Sequence, residues 1–161
     1  MAPIGDERVC DVYAIGHTLV VSTPGWFHGP EAWGGPVHVT TEDRDASDEE
    51  LGASVLDALT RNRILEGGEG FPDPILVAAG VKTDGQLSRR ARSVHVIVID
   101  SEDLLDIVPM TPERWGWSGR SFERGSARPV PGPAELGALV RRALTACPSW
   151  DEAHPPKPRT T

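Results

Sequence analysis

The segment "EELGASVLDALT" (residues 49–60) returns 85 residues later as "AELGALVRRALT" (residues 134–145). Glu50-Leu51-Gly52-Ala53 lines up with Glu135-Leu136-Gly137-Ala138, and Ala58-Leu59-Thr60 with Ala143-Leu144-Thr145. The same offset lays "TLVVSTP" (18–24) over "DLLDIVP" (103–109), pairing Leu19 with Leu104 and Pro24 with Pro109. A one-residue slip brings Trp33-Gly34-Gly35 near Trp117-Ser118-Gly119. "PVHVTTE" (36–42) and "SARPVPG" (126–132), both extended in character, then lead into the two helices. Chance likeness of two amphipathic helices does not explain why the preceding landmarks also fall in step.

Local signals fill in the units. Residues 9–15 alternate as a strand does, and 18–23 is an apolar, β-branched run that Pro24-Gly25 ends. Residues 36–41 form another strand, with Val37 and Val39 on one face. Ser47 and Glu50 make a capping box, in which the hydroxyl takes an orphan N–H and the carboxylate reaches back. Leu51, Val55, Leu56 and Leu59 then share a stripe. "EGGEGFPDP" reads as a loop, and "ILVAAG" (75–80) as a strand or a short helix. Residues 93–99 are the clearest strand, expected to be central, and 104–108 follow after an acidic turn. Pro133 suits a first helical position, and the second helix buries Leu136, Leu139, Val140, Ala143, Leu144 and Cys147. Gly52 and Gly137 each cost a helix about 1 kcal/mol against alanine, which makes sense where a twin helix or a sheet packs closely.

Neither half buries both faces of its own sheet. The expected fold is therefore α+β: a single domain of two pseudo-symmetric β-rich repeats, each ending in a helix. The domain spans 1–148, with repeat one over about 9–65 and repeat two over about 93–147, and 149–161 is expected to be a disordered tail. The plan resembles the Whirly-type arrangement of some plant single-stranded DNA-binding proteins, in layout only.

Charge narrows the function. The formal net charge is −8, and residues 1–80 hold 14 acids against 4 bases, whereas 81–161 hold 10 against 12. Nucleic-acid binders carry the opposite sign, because phosphate neutralisation by Lys and Arg drives their affinity. An acidic first half favours a basic partner or plain solubility. The N-terminus has acids where a secretory signal has bases, and no run has the roughly 18 apolar residues of a membrane span; the expected location is the cytoplasm. Cys10 and Cys147 make neither a disulfide framework nor a metal knuckle, and are expected as free thiols.

Chemical motifs are sparse. His17, His28, His38, His95 and His154 form no H-x-x-x-H or H-E-x-x-H pair, and His38 and His95 suit the less buried face of a strand. A Cys10 or Cys147 nucleophile lacks a local signature, and no hydrolase elbow, phosphate loop or dinucleotide fingerprint occurs. Asp43, Asp45 and Asp48 echo a calcium loop without its central glycine or distal glutamate. No cofactor or metal is expected. Arg89 to Arg92, Arg114, Arg120, Arg124 and Arg128, with Trp115, Trp117 and Phe122, would suit base stacking, against which stand a solvated-arginine reading and the total charge.

Laid out this way, the second half looks like the C-terminal signature of the immunity proteins of bacterial contact-dependent growth inhibition systems. The likeness rests on Ile107-x-Pro109, Trp117-Ser118-Gly119, Glu135-Leu136-Gly137, Ala143-Leu144 and Cys147. The first half is similar to that family in Glu50-Leu51-Gly52, Ala58-Leu59, Arg61 and Arg63, and Gly80-Val81-Lys82-Thr83 resembles its linker. Coverage runs over about 10–147; Trp26 to Pro36 and the Pro-rich tail depart from the pattern. The resemblance implies a non-enzyme that binds a cognate toxin C-terminal domain, commonly a nuclease, whose basic cleft an acidic inhibitor would fit. The candidate contacts are Glu42, Asp43, Asp45, Asp48 and Glu49. The competing classes are a single-stranded nucleic-acid-binding module of Whirly-like shape, and a small enzyme with a histidine joined to Cys10, an Asp or a Glu.

Overall fold

The computed structural model describes residues 7–27, 34–61, 64–65, 73–114, 116–119 and 128–158. Strands β1 (Glu7–Ile15), β2 (Thr18–Phe27) and β3 (Gly34–Asp43) run into helix α1 (Asp48–Thr60). A two-residue strand β4 (Ile64–Leu65) and helices α2 (Pro74–Ala79) and α3 (Asp84–Arg90) lead to β5 (Arg92–Ile99) and β6 (Leu104–Pro109). A small hairpin, β7 (Thr111–Glu113) with β8 (Gly116–Ser118), precedes α4 (Pro133–Ala146) and α5 (Trp150–Ala153). The fold is thus α+β, with one antiparallel sheet in the order β3-β2-β1-β5-β6 and β4 pairing in parallel with the end of β2.

Alternation along the strands divides the side chains between two layers. Cys10, Val12, Ala14, Leu19, Val21, Val94, Val96, Val98 and Leu105 face α1 and α4 and form the main core with Leu51, Val55, Leu136 and Val140. On the other face Tyr13, Ile15 and Val20 are covered by Ile75 of α2, Leu87 of α3 and Val81 between the two helices. The segment 75–79, ambiguous in sequence, is helical because Asp73 caps it, Pro74 opens it and Gly80 ends it at φ 68°.

The two helices cross at their glycines. A Cβ on Gly52 would run into the Pro133 backbone, 2.5 Å from its carbonyl carbon, and one on Gly137 would meet Asp48 in the same way. Residues 48 and 133 stand 85 apart, as the glycines do, so the two contacts are reciprocal. This is the close packing that the sequence anticipated at both positions.

In the strands the offset differs. Ile15 pairs with Thr18 across a two-residue turn, whereas Ile99 pairs with Leu104 across a four-residue turn. Residues on the helix-covered face are therefore 84 apart between β1 and β5 (Val12, Val96) and 86 apart between β2 and β6 (Leu19, Leu105). Matching Leu19 with Leu104 and Pro24 with Pro109 is off by one, and a one-residue slip turns every side chain to the opposite face. The Trp-x-Gly landmark also separates: Gly34 and Gly35 pair with β2 in the main sheet, but Trp117 pairs with Pro112 in the small hairpin. Among the described residues, β6 has no third-strand neighbour beyond a single bridge from Leu105 to Arg128.

The expectation of disorder from residue 149 fails at its start. Ser149 and Glu152 form a second capping box that opens α5. Trp150 then stacks on His154 at 4.0 Å, with the Arg89 guanidinium 5.2 Å from its ring. Pro-rich composition hid an S-x-x-E signature identical in kind to that of α1.

Candidate functional site

The five carboxylates singled out in sequence lie along one short path, from the end of β3 through the turn into the first turn of α1. Their surroundings differ. Glu42 accepts a hydrogen bond from Ser54 Oγ at 2.5 Å, on the side of β3 that faces α1. Asp43 accepts from the Asp45 backbone at 2.8 Å and shapes the turn. Asp48 Oδ1 holds Arg141 Nε of α4 at 2.7 Å. The same guanidinium donates to the carbonyls of Arg44 and Ala46, while Arg44 binds the Gly16 and His17 carbonyls of the β1–β2 turn. The turn is therefore fixed at both ends. Asp43, Asp45 and Glu49 are exposed, whereas Glu42 and Asp48 are half-buried and committed to internal partners.

Sequence reasoning missed a second feature. Asp11 on β1 stands directly opposite His95 on β5, and Asp11 Oδ1 lies 2.6 Å from His95 Nδ1. The pair sits on the face away from α1 and α4, beside Val9, Ile97 and Val108. Burial disfavours the imidazolium, but the Asp11 hydrogen bond and charge, with Glu7 behind them, outweigh it and raise the His95 pKa. An Asp–His pair of this kind orients an imidazole as general bases require. No thiol is poised to use it: burial and the Asp11 charge push Cys10 well up, and burial likewise raises Cys147, whose Sγ donates to the Ser93 carbonyl at 2.9 Å. Both cysteines are free and buried. Among the described residues no cluster of three His, Cys, Asp or Glu is arranged to hold a metal ion, and no helix is long and apolar enough to cross a membrane.

Three members of the arginine–aromatic set have partners within the fold. Arg89 lies over Trp150, Arg92 donates to the Thr145 and Cys147 carbonyls, and Trp117 packs against Tyr13 at 6.1 Å. Trp115, Arg120, Phe122 and Arg124 lie outside the described residues, as do His28 and Arg63.

No protein-family model matches the sequence, and no curated protein matches it. Solved structures do match the fold. A protein of unknown function from Neisseria meningitidis has a TM-score of 0.65 over 92% of this chain and 99% of its own, at 20% identity. A chain of a CdiA-CT/CdiI toxin and immunity complex from Yersinia pseudotuberculosis also has a TM-score of 0.65, over 91% of this chain and 100% of its own, at 19% identity. At such identities the likeness establishes a shared fold.

Proposed function

We propose that this chain is an immunity protein of a contact-dependent growth inhibition system, which binds and neutralises a cognate toxin C-terminal domain without catalysing a reaction. The observation that carries the reading is the end-to-end fold likeness to a chain of a toxin and immunity complex. It joins the resemblance already seen in the Glu-Leu-Gly helices and the Ile107-x-Pro109 stretch. The net charge of −8 supports a basic partner, for which a nuclease domain is the natural candidate, met in the cytoplasm where such a toxin acts.

Of the five acidic candidates, Asp43, Asp45 and Glu49 are the ones we expect to touch the toxin directly; Glu42 and Asp48 hold the turn that presents them. We further read the architecture as a duplicated unit. The reciprocal glycine contacts support this, as does the self-consistent register in which Asp11 faces His95, its own counterpart 84 residues on.

The test is co-purification of the chain with the toxin C-terminal fragment encoded directly upstream, followed by a growth-protection assay. A salt-sensitive complex that Asp43→Lys, Asp45→Lys and Glu49→Lys together weaken is expected. Failure to bind or to protect would remove the immunity reading. Unchanged affinity in the triple variant would remove only the acidic contact surface.

A further inference from the structure

We propose that the groove between β6 and α4 is a receptor for a carboxylate side chain carried on an apolar segment of a partner protein, seated between Arg128 and Arg142. The groove encloses about 270 Å³. Ile107, Leu139, Ala143 and Ala146 supply its apolar lining, and Arg128, Arg142 and Asp106 its polar groups. Leu139, Arg142, Ala143 and Ala146 follow the i, i+3, i+4, i+7 spacing of one helix face, and two alanines on that face leave the space open.

The matching face of α1, 85 residues earlier, is covered. There Ser54 bonds to Glu42, Asp57 lies 3.9 Å from His38, and the Ala58 carbonyl accepts from Thr23 at 2.8 Å. Strands β2 and β3 thus bond Ser54 and the Ala58 carbonyl of α1, while Asp57 is half-exposed and pairs with Arg61. At the groove beside α4, the Leu105–Arg128 bridge, with backbone bonds of 2.7 and 3.1 Å, holds Arg128 in place.

Charge identifies the occupant. Arg8, Arg61 and Arg141 each hold a carboxylate. Arg128 and Arg142 are exposed and hold none among the described residues, while Asp106, at the same groove, is buried and already partnered. Two arginines lining a groove with aliphatic residues suit a carboxylate with apolar neighbours, since a guanidinium fork pairs with two oxygens at once. Size narrows the choice further. The volume falls just short of the roughly 300–1,000 Å³ typical of small-molecule sites, but holds a glutamate side chain and part of a flanking aliphatic residue. The net charge of −8 opposes the approach of an acidic segment at long range, so these two arginines act only once the segment has reached the groove.

No toxin is needed to test for this receptor. The full chain, labelled with ¹⁵N, is titrated with acetyl-Leu-Glu-Leu-amide while amide chemical shifts are followed. Millimolar binding confined to Arg128, Leu139, Ala143, Ala146 and their neighbours is expected. Affinity should fall roughly tenfold for the Leu-Gln-Leu peptide, and equally for Arg128→Gln or Arg142→Gln, as the loss of one charge-assisted contact dictates. The spectra of the variants report directly whether the fold is intact. Shifts scattered over the surface, equal binding of the glutamine peptide, or unchanged binding by both variants would overturn the proposal. Acetate producing the same shifts at the same concentration would overturn the role given to the apolar floor.

Discussion

Replacing Gly52 with alanine is ordinarily a favourable change inside a helix, worth about 1 kcal/mol in propensity. Here the reverse is expected. The new methyl would lie 2.5 Å from the Pro133 carbonyl carbon and 2.9 Å from its Cα, against the roughly 3.5–4.0 Å that carbon atoms prefer. The obstacle is backbone, so no side-chain rotation relieves it, and α1 and α4 must separate by about 1 Å or more. Separation loosens Leu51, Val55, Leu136 and Val140, all fully buried at the crossing. Overpacking of this kind costs about 1–3 kcal/mol, sometimes more, and the gap along the crossing adds to it. After the propensity gain, a net loss of about 2 kcal/mol remains, or roughly 5 °C in melting temperature for a chain of this size. Gly137→Ala should behave alike against Asp48. The double variant should lose less than the sum, because the first substitution already parts the helices. Gly85→Ala in α3 is the internal control: its methyl would meet nothing nearer than 3.6 Å, so it should be neutral or mildly stabilising. Thermal melts of the four variants beside the parent chain decide the matter. A rise in melting temperature for Gly52→Ala or Gly137→Ala would refute the close crossing.

Three further outcomes follow from side chains already described. The His95 pKa is raised in the folded state. The stability that its pair with Asp11 contributes is therefore fully present below the unfolded value of about 6.5 and is lost as pH rises through the folded value. Urea titrations from acid to mildly alkaline pH should show that decline, and Asp11→Asn should flatten it; equal slopes would show that the pair is not linked to folding. Arg141→Met removes the link from α4 to Asp48 and to the Arg44 and Ala46 carbonyls, and should cost about 1–3 kcal/mol. In a double-mutant cycle with Asp48→Asn, an interaction energy near zero would contradict the contact. Ser47→Ala should cost about 1 kcal/mol by opening the capping box of α1, read as a lower urea midpoint with an unchanged slope.

What the sequence disclosed was local or periodic. Ser47 and Glu50 announced the start of α1, Pro133 that of α4, and the twin glycines announced a tight contact, because each signal depends on neighbours a few residues away. Strand register was not legible in the same way. The four-residue turn at Asp100–Asp103 replaces the two-residue turn at Gly16-His17, so a constant offset of 85 gives the right helix and the wrong strand face. Helix α3 went unread because its Thr83 cap opens only seven residues, too few to show a periodic apolar stripe. The Asp11–His95 pair left no trace in either segment, since its partners meet only when β1 and β5 align. The acidic path from Glu42 to Glu49 was visible as composition. Which of its charges turn inward depended on Ser54 and Arg141, one on the next helix and one nearly a hundred residues away.

Arg141 has a mechanical consequence. Its guanidinium bolts the turn ahead of α1 to the middle of α4, while the next residue, Arg142, lines the groove beside β6. Any molecule pulling on residues 43–49 therefore loads α4 directly, and the groove rides on the loaded helix. The acidic turn at one edge of the sheet and the arginine-lined groove at the other thus both bear on α4.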